Sequence, residues 1–179
     1  MHYSEVINFW FSPKTQPYWF AKSSEFDQQL RERFTTVFAQ ARQGELWAWR
    51  NTAEGRLAEI IVLDQFSRNI FRDTPLAFAQ DLVALVLAQE SITLRLDLQL
   101  SLEQRAFLYL PFMHSESKLI HQQALQLFEN LANPLSLDFE KKHQSIIDRF
   151  GRYPHRNAIL GRTSTAEELA FLTQADSHF

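Results

Sequence analysis

The stretch Asp148-Arg149-Phe150-Gly151-Arg152-Tyr153-Pro154-His155-Arg156-Asn157-Ala158-Ile159-Leu160-Gly161-Arg162 decides the fold class. A glycine closes one apolar segment, and a proline follows three residues later. Glycine supplies the positive φ that stops a helix, and proline suits the first turn of the next. The stretch therefore reads as a tight corner between helices, with Pro154 to Leu160 as a short second helix and Gly161 behind it. Such a corner sets backbone N–H groups beside guanidinium forks, which is the chemistry of an anion site. The same arginines equally suit a structural role, tying the C-terminal helices to acidic partners such as Asp148 and Asp64.

Moving outward, the same punctuation recurs along the chain. Asn133-Pro134 starts the helix that ends at Phe150-Gly151, and the helix before it runs through Leu119, Ile120, Ala124, Leu127, Phe128 and Leu131. Ser101-Leu102-Glu103-Gln104 is a capping box for a helix from Leu102 to Leu110, which Pro111 should kink or end. Thr74-Pro75 opens a helix through Phe78, Leu82, Leu85, Val86 and Ala88. Asn51, with Glu54 three residues on, caps a long helix through Leu57, Ile60, Ile61, Leu63 and Phe66 to about Phe71. Ser24-Glu25-Phe26-Asp27 opens another through Leu30, Phe34, Val37, Phe38 and Ala41, with Gly44 as its stop. Val6 to Phe11 form a short N-terminal helix, and Thr165 with Glu168 caps a last one through Leu169, Phe171 and Leu172. Trp47 and Trp49 read as a buried lid over the first helix pair.

Composition agrees with this reading. Sixteen Phe, four Trp and four Tyr stand against only four Gly and six Pro, which suits long helices with thick apolar interfaces. Neither an alternating strand pattern nor an Asn-Gly or Asp-Gly hairpin signal is present. The expectation is an all-α protein of eight or nine helices in antiparallel pairs, one domain spanning residues 1–179, with no linker or low-complexity break.

The totals also bound function. A formal charge of −3 and a pI near 6.1 argue against a general nucleic-acid binder. Cysteine is absent, which removes disulfides, thiolate metal sites and a cysteine nucleophile. The start of the chain lacks a signal-peptide pattern, and the apolar run Ala106 to Met113 is too short to span a bilayer. A cytoplasmic protein without membrane association is expected.

A second polar cluster lies on the helix after Asn51. Asp64, Arg68 and Arg72 recur at four-residue spacing, and Gln65 with Asn69 forms the adjacent row, so all five share one broad face. Asp64 to Arg68 is ordinary helix pairing, but amides beside it must satisfy one another or hold a ligand if the face is buried. A third cluster, His114-Ser115-Glu116-Ser117, follows Pro111 directly.

Taken together, Leu63-Asp64-Gln65-Phe66-Ser67-Arg68-Asn69-Ile70-Phe71-Arg72, Leu110-Pro111-Phe112-Met113-His114-Ser115-Glu116 and Arg149 to Asn157 through Arg162 resemble a mainly bacterial family, domain of unknown function 924. The opening pattern Val6 to Trp10 and then Trp19-Phe20 matches as well, so the likeness covers nearly the whole chain. Tyr153 and Met113 stand where the family pattern has phenylalanine and glutamate. The resemblance implies an all-α domain like the tetratricopeptide-repeat superfamily, and it brings no established reaction, cofactor or substrate.

Nucleophilic catalysis finds no Gly-x-Ser-x-Gly elbow, metal binding no His-Glu-x-x-His spacing, and nucleotide binding no Gly-rich loop. Neither metal nor cofactor is expected. Two readings remain. In one, the three clusters bind a small anionic molecule. Arg68, Arg72, Arg149, Arg152, Arg156 and Arg162 then act as clamps, Gln65, Asn69, Glu116 and Asn157 orient the ligand, and His114, His155 or Asp64 supplies an acid or base. In the other, the scaffold is an adaptor that takes a peptide or protein segment, and the arginines hold the scaffold.

Overall fold

A computed structural model describes residues 1–175 and 177. Every described regular element is helical. The α-helical segments are α1 (Tyr3–Trp10), α2 (Ser24–Arg42), α3 (Ala53–Ile61), α4 (Ser67–Ile70), α5 (Asp81–Thr93), α6 (Leu102–Met113), α7 (Lys118–Asn130), α8 (Pro134–Phe150) and α9 (Ala166–Phe171). A π-helical turn, Val62–Phe66, joins α3 to α4 without a break. With α3, the turn and α4 taken as one rod, the described residues form eight helices, and the all-α class expected from the sequence holds.

The chain divides into two compact units, one of Met1–Arg72 with Leu76–Pro111, the other of Asp73–Pro75 with the residues from Phe112 onward. In the first unit α1 packs on α3, and α2 on α4. Phe9, Phe34 and Phe66 meet ring to ring, with centroids 4.9 Å apart for Phe9–Phe34 and 4.6 Å for Phe34–Phe66. Trp10 lies 5.5 Å from Phe66 and is fully buried. Each such pair adds about 0.5–1.5 kcal/mol beyond area burial, which explains why so many phenylalanines serve so few helices. Gly55 allows one close approach: a Cβ there would stand 2.0 Å from the Trp49 carbonyl oxygen.

In the second unit the connection Leu131 to Asn133 folds α8 back along α7, the closest helix pair in the chain. The core here is Ile146, Ile147 and Tyr153, with Phe150 and Phe171 packed against it. Asn133 caps α8 by accepting from the N–H groups of Leu135 and Ser136, and Gly151 ends it at φ 69°. Thr165 and Glu168 form the capping box of α9.

Several boundaries differ from the sequence reading, each for a local reason. The cap of α2 is Ser23, whose Oγ accepts from Phe26 N–H, and Asp27 is thereby released to turn inward. Thr52, not Asn51, caps α3. Pro75 opens only a 3-10 turn, Pro75–Ala77, and α5 starts at Asp81. Pro111 removes one N–H from α6 without ending it, because Phe112 and Met113 are buried beyond it and packing overrides the local penalty. Pro154 starts a 3-10 turn of three residues rather than a helix to Leu160. Trp49 is buried as expected of a lid, whereas Trp47 is exposed.

The stretch Pro75–Thr93 is long and apolar enough to qualify as a membrane span, with a mean hydropathy of 1.3. One such stretch is weak evidence, since core helices pass the same test. Ala84, Leu85, Leu87 and Ala88 of α5 are in fact buried within the protein.

Candidate functional site

The first unit gathers Asp64, Gln65, Arg68, Asn69 and Arg72 where the sequence places them, on the π turn and α4. The π turn buries Asp64 and Gln65 together. Gln65 Nε2 donates to Asp64 Oδ2 at 2.5 Å, and Arg68 pairs with Asp64 at 3.3 Å and with Asp81 at 3.0 Å. A residue the sequence reading missed completes the group: Asp27 of α2 takes a fork from Arg72 at 2.5 and 2.7 Å and the Asn69 amide at 2.8 Å. Burial raises the Asp27 carboxyl, but the hydrogen bonds from Arg72 and Asn69 and the nearby Arg31 charge outweigh it and hold it below the usual range. Arg31 in turn donates to the Ile70 carbonyl at 3.2 Å. Three carboxylates (Asp27, Asp64, Asp81) thus face three guanidinium groups (Arg31, Arg68, Arg72).

The second unit brings the His114–Glu116 stretch and the Arg149–Arg162 corner together around Tyr153. Glu116 receives a fork from Arg162 at 2.6 and 2.9 Å and the Tyr153 N–H at 2.8 Å. Burial pushes its carboxyl up, yet the Arg162 and Tyr153 hydrogen bonds and the charges of Arg156 and Arg162 prevail and lower it. Arg152 forks onto Glu168 at 2.7 and 2.8 Å, holding that carboxyl at about 2. Arg149 pairs with Glu167 at the surface, where such a bridge contributes at most about 1 kcal/mol. Arg162 Nε donates to Asn157 Oδ1 at 3.0 Å, and Asn157 Nδ2 donates to Ser164. Arg156 is buried, lies over the Tyr153 ring at 4.6 Å and donates to the His114 carbonyl at 3.1 Å. His155 stands 5.5 Å from the same ring.

Beneath Tyr153 lies a proton arrangement that fixes its own tautomers. The Tyr153 hydroxyl donates to the Met113 carbonyl at 2.5 Å, and its oxygen stands 3.2 Å from His121 Nε2. His121 Nε2 is also 2.8 Å from the Ser115 carbonyl. A carbonyl only accepts, so Nε2 carries a proton. A second proton sits between His121 Nδ1 and Glu140 Oε1, 2.7 Å apart, with both side chains fully buried. Desolvation raises the Glu140 carboxyl, opposed by the His121 contact. Glu140 Oε2 is buried with no hydrogen-bond partner. His143, one helical turn on, donates from Nδ1 to the Phe139 carbonyl at 2.8 Å. Burial, with the charges of His114, His121 and His155, lowers it to about 3.

Asp148, one of the acidic partners expected for the arginines, instead accepts from Lys118 through its backbone carbonyl at 2.8 Å. Glu116, Glu167 and Glu168 take the arginines. The roles of Asp27 and Glu140 had a signal in the sequence, since Asp27 lies on the buried stripe of α2 and Glu140 shares the face of His143 and Ile147 on α8. A carboxylate at a core-facing position requires a partner. Among the described residues no group of three or more His, Cys, Asp or Glu side chains is placed to hold a metal ion.

The fold and these two polar clusters define an all-α protein whose arginines are held by buried carboxylates. The sequence profile of the family described as "Bacterial protein of unknown function (DUF924)" matches residues 6–176, and the chain belongs to that family. It is also similar to a solved structure, that of the protein of unknown function ATU0120 from Agrobacterium tumefaciens. The two are 38% identical, with a TM-score of 0.90 over 95% of this chain and 96% of that one. No curated protein matches the chain.

Proposed function

We propose that the cluster around Tyr153 in the second unit binds a small anionic molecule. The observation that carries this reading is charge imbalance: three guanidinium groups, Arg152, Arg156 and Arg162, share two carboxylates, Glu116 and Glu168. A ligand carrying one or more negative charges completes the set, and forked guanidinium donors suit carboxylate and phosphate geometry. His114 and His155 stand beside the arginines as groups that can gain a proton. Gln65, Arg68, Asn69 and Arg72 sit in a network whose carboxylates and guanidinium groups match in number, so charge balance favours the second unit. Asp64 is engaged in that same network. A cytoplasmic location, where phosphorylated and carboxylated metabolites are abundant, goes with this reading.

The test is a thermal-shift series with inorganic phosphate, pyrophosphate and a panel of carboxylated metabolites, each against chloride at matched ionic strength. A ligand at a hundred times its dissociation constant adds about 2.7 kcal/mol of stability. Arg156→Met, which keeps the stem on Tyr153 and removes the charge, should abolish the response with helicity unchanged. If none of these anions stabilises the protein beyond chloride at millimolar concentration, or if Arg156→Met responds like the wild type, the reading fails.

A further inference from the structure

We infer that the exposed face of α5 is the surface through which two copies of this chain pair. An amphipathic helix in a water-soluble fold turns one face inward and carries polar side chains on the other. Helix α5 departs from that rule. Its inner face, Ala84, Leu85, Leu87, Ala88 and Ser91, is buried, yet its outer face carries Leu82, Val83 and Val86 at 71%, 44% and 53% exposure. Leu76 before the helix and Leu94 after it are similarly exposed. Single exposed leucines are ordinary, but a contiguous apolar strip along one helix marks an interaction surface.

The charges flanking the strip identify the occupant. Asp81 at the start of α5 is paired with Arg68 at 3.0 Å, and Glu90 near its end with Arg56 at 2.6 Å. Both bounding carboxylates therefore meet cations of their own chain. A basic partner would find those carboxylates already engaged, and an anionic membrane surface would find Arg56 and Arg68 engaged as well. A second copy of the same face brings no unpaired like charge against itself, so the repulsion that normally opposes pairing of an acidic protein is absent here. The strip is also self-complementary. In an antiparallel crossing about a two-fold axis, Leu82 of one copy meets Val86 of the other, and the contact is made twice. Val83 then lies next to the axis, facing its own counterpart.

A helix-on-helix contact of this size falls at the small end of stable interfaces, which sets the expected dissociation constant in the micromolar range. Sedimentation of the full chain across that range should show a monomer–dimer equilibrium. The double substitution Leu82→Glu with Val86→Glu, both at exposed positions, should weaken it at least about tenfold with an unchanged far-ultraviolet circular dichroism spectrum. The absence of cysteine from the natural sequence gives a second readout independent of affinity. Under mild oxidation Val83→Cys should form a covalent dimer, whereas Leu119→Cys, at an exposed position on α7, should not. A wild type that stays monomeric throughout the range overturns the inference. So does a dimer unaffected by the double substitution, or one that cross-links no better through Val83→Cys than through Leu119→Cys.

Discussion

Acid should destabilise this protein through His143 before it titrates most of its carboxylates. The ring is 6% exposed, its Nδ1–H is committed to the Phe139 carbonyl at 2.8 Å, and the second unit holds its pKa at about 3 against an ordinary value of 6.5. Between those two values the unfolded chain binds a proton that the native protein does not. Stability therefore rises with pH across this window; the His143 contribution is complete above about 6.5 and is lost progressively on acidification. Each pH unit below 6.5 removes about 1.4 kcal/mol, so at pH 4.5 the loss is about 2.7 kcal/mol. That is a large part of the 5–15 kcal/mol, roughly, that holds a domain folded. The comparison is with His143→Gln, which cannot gain the proton. Urea unfolding of both proteins at pH 7.5 and pH 4.5 should show the wild type losing about 2–3 kcal/mol more than the variant over that interval. Carboxylates lowered in the native state, such as Asp27 and Glu116, are present in both proteins and cancel in the difference. Parallel losses in the two proteins, or a His143 resonance that titrates near pH 6.5 in the native state, would refute the reasoning.

Other substitutions probe the packing and the networks separately. Gly55→Ala should lower stability by about 1–3 kcal/mol, read as a fall in melting temperature, because the new methyl meets the fixed Trp49 carbonyl; a stability gain of the size expected from helix propensity alone would show that the contact is soft. Asp27→Asn should cost about 2–3 kcal/mol in urea unfolding, less than a fully buried pair because Arg72 retains some solvent. The native Asp27 pair should also weaken as pH falls through the lowered Asp27 pKa, since it is complete only above the unfolded value. Tyr153→Phe should cost about 1–3 kcal/mol by leaving the Met113 carbonyl without its donor. A change within a few tenths would mean that water replaces the hydroxyl.

Much of the fold was legible because its signals are local. Asn133, Gly151, Thr165 and the Ser101–Gln104 box act within one helical turn, and the side chains beside them fix where the chain starts and stops coiling. The errors arose where tertiary packing decides. Pro111 ought to end α6, but burial of the next two residues carries the helix on. Ser24 ought to cap α2, but the one-residue shift to Ser23 lets Asp27 reach Arg72 from forty-five residues away in sequence. The site was legible in residue type and illegible in pairing. Arginines at 152 and 162 advertise an anion, and only coordinates reveal that Glu168 and Glu116 meet them. The four-residue spacing of Asp64, Arg68 and Arg72 did point to one face, although nothing in that spacing announces a π turn.

That turn makes the segment between Ile61 and Ser67 a length gauge. Removing one residue from it would restore ordinary α-helical winding and swing everything downstream by about 100°, carrying Asn69 and Arg72 off the Asp27 side of the rod. Adding one would misdirect them comparably. Any protein that keeps this network should therefore align with Val62–Phe66 without a gap, however freely its loops vary in length, and a one-residue deletion there should be far more damaging than any single exchange of its side chains.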